Sequence, residues 1–419
     1  MDDADTNNEE DQEHGEEEII STAAAKQRRL LKLISVLEKK DKFSLRTRNK
    51  TDELVENFLQ VLGDDIHDML CDNYTEAENY SGLDSDRDTE AEIEATVRSF
   101  PEVLTRRIYD DDDDDNEYFH YPIQQLAFAH DEDSDWQCNV KAVSFIPLLA
   151  RLAIELGLFE EDERGGLLCE YNEGGCDNVL YLLMLSDDQT ELPNQKHNEY
   201  LDTKYLQVLI QLRKLGYVKK EDILRYGLLH RLCQHDYFAE KRFRFLVEWD
   251  PTVLLHATGN GSLPIHWAIF SIQGFRSVFE AGIHYYPKKK GISLLFRKND
   301  HDKTPFQYAC TDFGYHTVIK VIEETLVDHH HFNDDSDDDA DGPYNIVDAL
   351  ITACIDEHIH LDCVYFLLRR EPDVLQKLLS SSSSSSLSSS PQAATPLSVS
   401  DSIGNTIDHS KKVRKRKRG

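Results

Sequence analysis

The sequence predicts an all-α fold, an irregular solenoid of helix pairs over residues 90–378, and three observations carry that reading. First, LPIHWAI at 263–269 is echoed 41 residues later by TPFQYAC at 304–310, and GFRSVF at 274–279 by GYHTVI at 314–319. Second, apolar residues return at i, i+3, i+4 and i+7, the stripe of an amphipathic helix, while the alternation of a strand is scarce. Third, both ends depart in composition from the body: an acidic N-terminus and a Ser-rich tail closing on a basic cluster. Repeats of this kind each form one helix pair that cannot bury its apolar face alone, so neighbours stack.

Taken in order, residues 1–20 open with MDDADTNNEEDQEHGEEE, ten acids without Lys or Arg, too charged to fold alone and expected to be disordered. This composition is the reverse of a secretory or mitochondrial leader, so a cytoplasmic or nuclear protein is expected. Residues 21–89 read as a helical N-terminal region. Leu30, Leu33, Ile34 and Leu37 give one stripe, and Leu54, Phe58, Leu62, Ile66 and Met69 give a second helix over roughly 51–70. After a polar stretch at 73–88, EAEIEATVRSF restores the helical period before Pro101.

Within 90–378 each unit reads as two helices. Pro264 and Pro305 suit a helix start, where the missing N–H would have no partner anyway. Looser copies are YPIQQLA at 121–127, LLHRLC at 228–233 and ALITAC at 349–354. Second helices follow from Leu149, Leu152, Ala153 and Leu156; from Tyr205, Val208, Leu209 and Leu212; and from Leu361, Val364, Tyr365 and Leu368. The first two stop at Gly157 and Gly216, as a left-handed cap requires. FPEVL, DPTVL and EPDVL, at 100–104, 250–254 and 371–375, put a Pro where a helix must end. The runs Asp110–Asp115 and Asp334–Asp341 are expected in solvated loops. Residues 379–419, Ser-rich with scattered Pro, are expected to be a disordered tail.

These phrases resemble the ankyrin repeat, whose pattern runs Thr-Pro-Leu-His-x-Ala-Ala, then Gly-His and a Val-Leu-rich second helix. The chain from about 90 to 378 also resembles the divergent ankyrin-repeat proteins associated with diatoms. On that resemblance Thr304 and Pro305, with Pro264 in the other copy, are the helix-opening residues, His266 the buried His, Ala268 and Ala309 the helix Ala, and Gly274 and Gly314 the inter-helix Gly. The departures are Gln307 for His, Leu263 for Thr, and spacings of 36 to 44 residues.

Chemistry is sparse. GxSxG, HExxH, GxxxxGK[ST] and GxGxxG are all missing, and GNGS at 259–262 leads straight into LPIH, so no catalysis and no cofactor are expected. His329, His330 and His331 beside DDSDDDAD read either as a divalent-metal site or as a solvated loop. His230 and His266, in apolar surroundings, read as hydrogen-bonded structural residues; His358 and His360 suit a helix surface or cap. Eight cysteines without a CxxC pair fit free thiols. Lys288, Lys289 and Lys290 read as an inter-repeat loop or a contact for an acidic partner.

The net charge is −33, and everything before the last nine residues carries −40, because Lys411, Lys412, Arg414, Lys415, Arg416, Lys417 and Arg418 are seven bases without an acid. Such a body repels phosphates, so nucleic acid binding by it is not expected, and a protein partner, basic in character, is. No stretch reaches the ~18 apolar residues of a membrane span. The basic cluster suits a nuclear importer. The expected function is a non-catalytic protein–protein interaction scaffold; the alternative is a nuclear or chromatin-associated factor gripping nucleic acid through the tail.

Overall fold

The computed structural model describes residues 32–373 apart from 33, 36, 76–79, 111–117, 131–135, 171–177, 188–194, 287–289, 333–345 and 371, together with residue 376. Lys32, Ile34, Ser35, Leu37 and Glu38 are helical. Helix α1 (Leu45–Cys71) starts at Ser44, whose hydroxyl accepts from the Thr47 N–H. Its apolar stripe is covered only toward the C-terminus: Ile66 and Leu70 are buried, whereas Leu54 and Phe58 are exposed. Helix α2 (Glu90–Ser99) opens on a reciprocal cap in which the Glu92 N–H donates to Thr89 Oγ1 and the Thr89 N–H to Glu92 Oε2. Pro101 ends it in a 3-10 turn, Pro101–Thr105.

Two antiparallel hairpins follow, which the sequence reading did not anticipate. Strand β1 (Ile108–Asp110) pairs with β2 (Tyr118–His120), and β3 (Phe128–His130) with β4 (Trp136–Cys138); α3 (Pro122–Gln125) lies between the hairpins. Asp110 is thus the last residue of a strand, opposite Tyr118, and not loop. Aromatic and β-branched residues on either side of the acidic run favour pairing, and they draw its first Asp into the ladder. Asp111–Asp115 and Asp334–Asp341 lie outside the described residues.

From there the chain runs through helices of 4 to 21 residues. They are α4 (Ile146–Glu155), α5 (Val179–Leu182), α6 (Gln195–Leu215), α7 (Lys220–Arg225), α8 (Leu228–Leu232), α9 (Glu240–Trp249), α10 (Pro264–Trp267), α11 (Ile272–Tyr285), α12 (Lys290–Ser293), α13 (Pro305–Phe313), α14 (Tyr315–Phe332), α15 (Ile346–Ile355) and α16 (Leu361–Arg370). They pack in two rows. In one, α1, α3, α5, α8, α10 and α13 each touch the next; in the other, α2, α4, α6, α9, α11 and α14 do so. The rows meet through α3 and α4, α8 and α9, α10 and α11, and α13 and α14. Helix α1, read as part of a separate N-terminal region, heads the first row by packing on α3. The described residues are mostly helical, with 16 α-helices.

The core lies between the rows. Leu149, Leu152, Tyr205, Leu212, Phe275, Phe279 and Phe296 are wholly inside it, each contributing on the order of 1.5–3 kcal/mol by leaving water. Stops follow local chemistry: Gly157 and Gly216 take φ of +65° and +78° just past α4 and α6. Pro251 closes α9 in a 3-10 turn, Pro251–Leu255, as Pro101 closes α2.

One seam between long helices is ionic. Arg242 on α9 is 1% exposed and Asp202 on α6 is 2% exposed. The guanidinium donates to Asp202 Oδ1 at 2.9 Å and to the carbonyls of Leu183 and Leu185 at 2.8 and 2.7 Å. Asp202 also accepts from the backbone N–H groups of Lys241 and Arg242, at 2.8 and 3.3 Å, so it caps the start of α9 from another helix. Burial of the pair is tolerable because the Asp202 carboxylate and most of the guanidinium donors find partners.

The chain divides into two units, Met1–Leu367 and Leu368–Gly419. In the second, the described residues are the last turn of α16, a turn at Pro372, and the helical Asp373 and Gln376. Among the described residues no helix is long and apolar enough to cross a membrane.

Candidate functional site

The motif residues tie successive helices and the loops between them together. Pro264 and Pro305 each occupy the first position of a helix, α10 and α13. His266 Nδ1 accepts from the Leu263 N–H at 2.9 Å, which leaves the proton on Nε2, 3.3 Å from the carbonyl of Lys303 in the following unit. Its ring is buried, and desolvation lowers its pKa to about 4, so it is neutral at physiological pH.

Two glutamines repeat this bridge. The Tyr121 N–H donates to Gln124 Oε1 at 2.8 Å while Gln124 Nε2 donates to the Cys169 carbonyl at 3.0 Å. Gln307 likewise accepts from the Thr304 N–H, at 3.4 Å, and reaches Asp362 Oδ2 at 3.3 Å. Gln307, which departs from the repeat pattern, preserves its chemistry because an amide also offers one acceptor and one donor. Thr304 completes its cap by accepting from the Gln307 N–H at 3.1 Å. Ala268 and Ala309 are buried beneath these caps.

The two glycines serve different ends. Gly314 sits between α13 and α14 at φ +83°, an inter-helix position. Gly274 lies inside α11, which corrects its reading as an inter-helix residue. An added Cβ there would come within 2.8 Å of the Phe238 ring, so close packing explains the glycine.

The remaining candidates disperse. The His230 ring lies 6.0 Å from that of His256, and burial first, then His256, lowers its pKa to about 4. His329, His330 and His331 fall in the backbone of the last turns of α14 and not in a loop; their acidic neighbours lie outside the described residues. Among the described residues no group of three His, Cys, Asp or Glu is placed to hold a metal. His360 Nδ1 accepts from the Asp362 N–H at 3.2 Å in the first turn of α16, a capping role, and the His358 carbonyl accepts from the Lys298 N–H at 2.8 Å. GNGS forms a turn whose Asn260 carbonyl accepts from the Asp300 N–H at 3.0 Å, joining neighbouring units. Lys290 starts α12, and Lys288, Lys289 and the seven bases Lys411 to Arg418 lie outside the described residues. The seven described cysteines are free, and burial pushes the Cys363 thiol up to about 12.

The concave site is elsewhere. A hollow of about 980 Å³ opens between α6 and α9, with Gln273 of α11 at its edge. Leu206, Ile210, Phe238 and Phe245 supply apolar wall, while Glu199, Asp202, Glu240 and Glu248 face two cations, Lys241 and Arg244. Glu240 pairs with Arg244 at 2.7 Å, and Asp202 belongs to the buried pair with Arg242. Burial first, then Asp202 and Glu199, pushes the Tyr237 phenol up to about 12, against the Arg242 charge that lowers it. On the other flank of α9 a smaller hollow, about 240 Å³, shares Glu240, Arg244 and Glu248 and adds Glu280 and His284 of α11. Helix α9 therefore presents a charged ridge at i, i+4 and i+8 with a depression on each side.

Sequence reasoning missed this surface. EKRFRFLVEW does show charged residues at helical spacing beside aromatics, but the hollow forms where α9 packs on α6, elements joined by contacts such as Asp202 to Arg242, 40 residues apart in sequence. Compared with known protein families, curated proteins and solved structures, the chain matches none.

Proposed function

We propose that the chain is a non-catalytic protein–protein interaction scaffold, a helix-pair solenoid of ankyrin-like units that holds a partner polypeptide in the hollow between α6 and α9. The observation that carries this reading is the hollow itself: apolar and aromatic walls with a charged rim, on a rigid pair of helices locked by a buried ion pair. Apolar wall supplies affinity and placed charge supplies register. The two rows of helices support the solenoid reading, since each helix of a row touches the next one along it. His266 bridges two backbone groups and His360 caps a helix, which supports structural roles for these two histidines.

The test is site-specific photo-cross-linking in cells, with benzoylphenylalanine placed at Phe245 or at Gln273, on two sides of the hollow. The same adduct should form from both and not from Tyr74, an exposed position outside the hollow. Absence of any adduct, or an identical adduct from Tyr74, refutes the scaffold reading at this site.

A further inference from the structure

The geometry points to the chemistry of the partner: we propose that the hollow receives an arginine-rich segment, one guanidinium donating to Asn198 while the carboxylates of Glu199 and Glu248 hold its charge. The proposal rests on the scaffold reading above and deepens it.

Asn198 is the first reason. It lines the hollow on α6, it is 2% exposed, and its side-chain oxygen has no hydrogen-bond partner. Buried polar atoms almost always find a partner, and one left without costs on the order of 1–3 kcal/mol. A turn of the Asn198 amide that brings this oxygen to the hollow lets an occupant's N–H remove that cost, so the vacancy selects a donor.

Charge is the second. The wall holds four carboxylates against two cations. Of the four, Glu240 is engaged by Arg244 and Asp202 by Arg242. Lys241 donates to Thr203 Oγ1 at 2.6 Å and to the Glu199 backbone carbonyl at 3.4 Å, and not to a wall carboxylate. Glu199 accepts from the Gln195 amide at 2.9 Å, a neutral donor that leaves its charge uncompensated, and Glu248 stands exposed at the rim. A cationic donor satisfies both features at once, and an anionic or nucleic acid ligand satisfies neither.

Aromatic surface favours arginine over lysine. Tyr237 and Phe245 line the hollow, and a planar guanidinium stacks on such rings where a compact ammonium does not. The chain already uses that mode on the same helix: the Arg213 guanidinium lies 4.2 Å over Trp249 and 5.5 Å over Phe245. The volume of about 980 Å³ accommodates more than one side chain, which suits a segment and not a single residue.

The probe is a fluorescein-labelled short peptide of alternating Arg and Leu, titrated into the full chain and followed by fluorescence anisotropy. Its counterpart with citrulline for Arg keeps the shape and loses the charge. The Arg peptide should bind at least about tenfold more tightly than the citrulline peptide and weaken as salt rises. Glu248→Lys and Asn198→Leu should each weaken it by about tenfold with the helical circular dichroism unchanged. Glu161→Lys, an equal charge change at an exposed position outside the hollow, should leave it within about twofold. No binding of the Arg peptide, or equal loss in Glu161→Lys and Glu248→Lys, overturns the proposal, because attraction to the whole acidic body then accounts for everything. The two readings fail separately: an adduct at Phe245 that the Arg peptide does not displace refutes the partner chemistry alone, whereas absence of the adduct refutes the scaffold.

Discussion

Replacing His266 by Gln should leave the joint standing and remove a pH dependence. The ring accepts from Leu263 N–H and donates to the Lys303 carbonyl, and Gln124 and Gln307 make the same pair of bonds with an amide. His266→Gln should therefore cost about 1 kcal/mol or less near neutral pH, by analogy with an exchange of one hydrogen-bonded group for another. His266→Leu leaves the buried Leu263 N–H without an acceptor and should cost about 1–3 kcal/mol more. The acid response separates the two roles. The unfolded chain takes up the proton near 6.5 and the folded chain only near 4, so the native state resists protonation and its stability falls as pH drops through that window. Between about pH 7 and about pH 5 the difference amounts to about 2 kcal/mol for this residue. Urea unfolding followed by tryptophan fluorescence, at both pH values, measures it. The loss between the two pH values should be about 2 kcal/mol smaller in His266→Gln than in the parent. Equal losses would mean that His266 is not held neutral by burial, and the joint as described would be wrong.

Two further outcomes follow from other parts of the chain. Arg242→Met strands the Asp202 carboxylate in the core and should cost about 3–5 kcal/mol in urea unfolding; Asp202→Asn added to Arg242→Met should recover part of it, and a single substitution costing under about 1 kcal/mol would show that the pair is not buried. Attaching residues 405–419 to a neutral reporter should carry it into the nucleus, and an even distribution, unchanged when the seven bases become Ala, would refute a targeting role.

Much of the helical pattern could be read from the chain because it is written locally. Pro264 and Pro305 open helices, Gly157 and Gly216 follow them, and Leu149, Leu152, Tyr205 and Leu212 fall on buried faces, all from spacing and backbone preference. What escaped was non-local. The hairpins depend on Ile108 and Tyr109 finding His120 and Phe119 across an acidic run that reads as loop. Gly274 looked like punctuation because nothing in its neighbourhood reveals the ring of Phe238, 36 positions earlier, lying against it. The hollow needs Asn198 and Glu248 on one surface, and their helices meet through a charged pair whose members, read singly, look like ordinary surface residues.

That pair also bears on how the chain tolerates editing. The joints made by Gln124 and His266 are neutral, each ending on a backbone carbonyl, and the one made by Gln307 sets a neutral amide against the Asp362 carboxylate. A unit duplicated or deleted at such a joint finds an equivalent acceptor waiting and meets little electrostatic opposition. At the junction of α6 with α9 the same event would separate Arg242 from Asp202 and leave two charges in an apolar interior. An insertion or deletion between Asp202 and Arg242 should therefore be tolerated less well than one at the neutral joints, because the walls of the hollow stay in place only while that pair is intact.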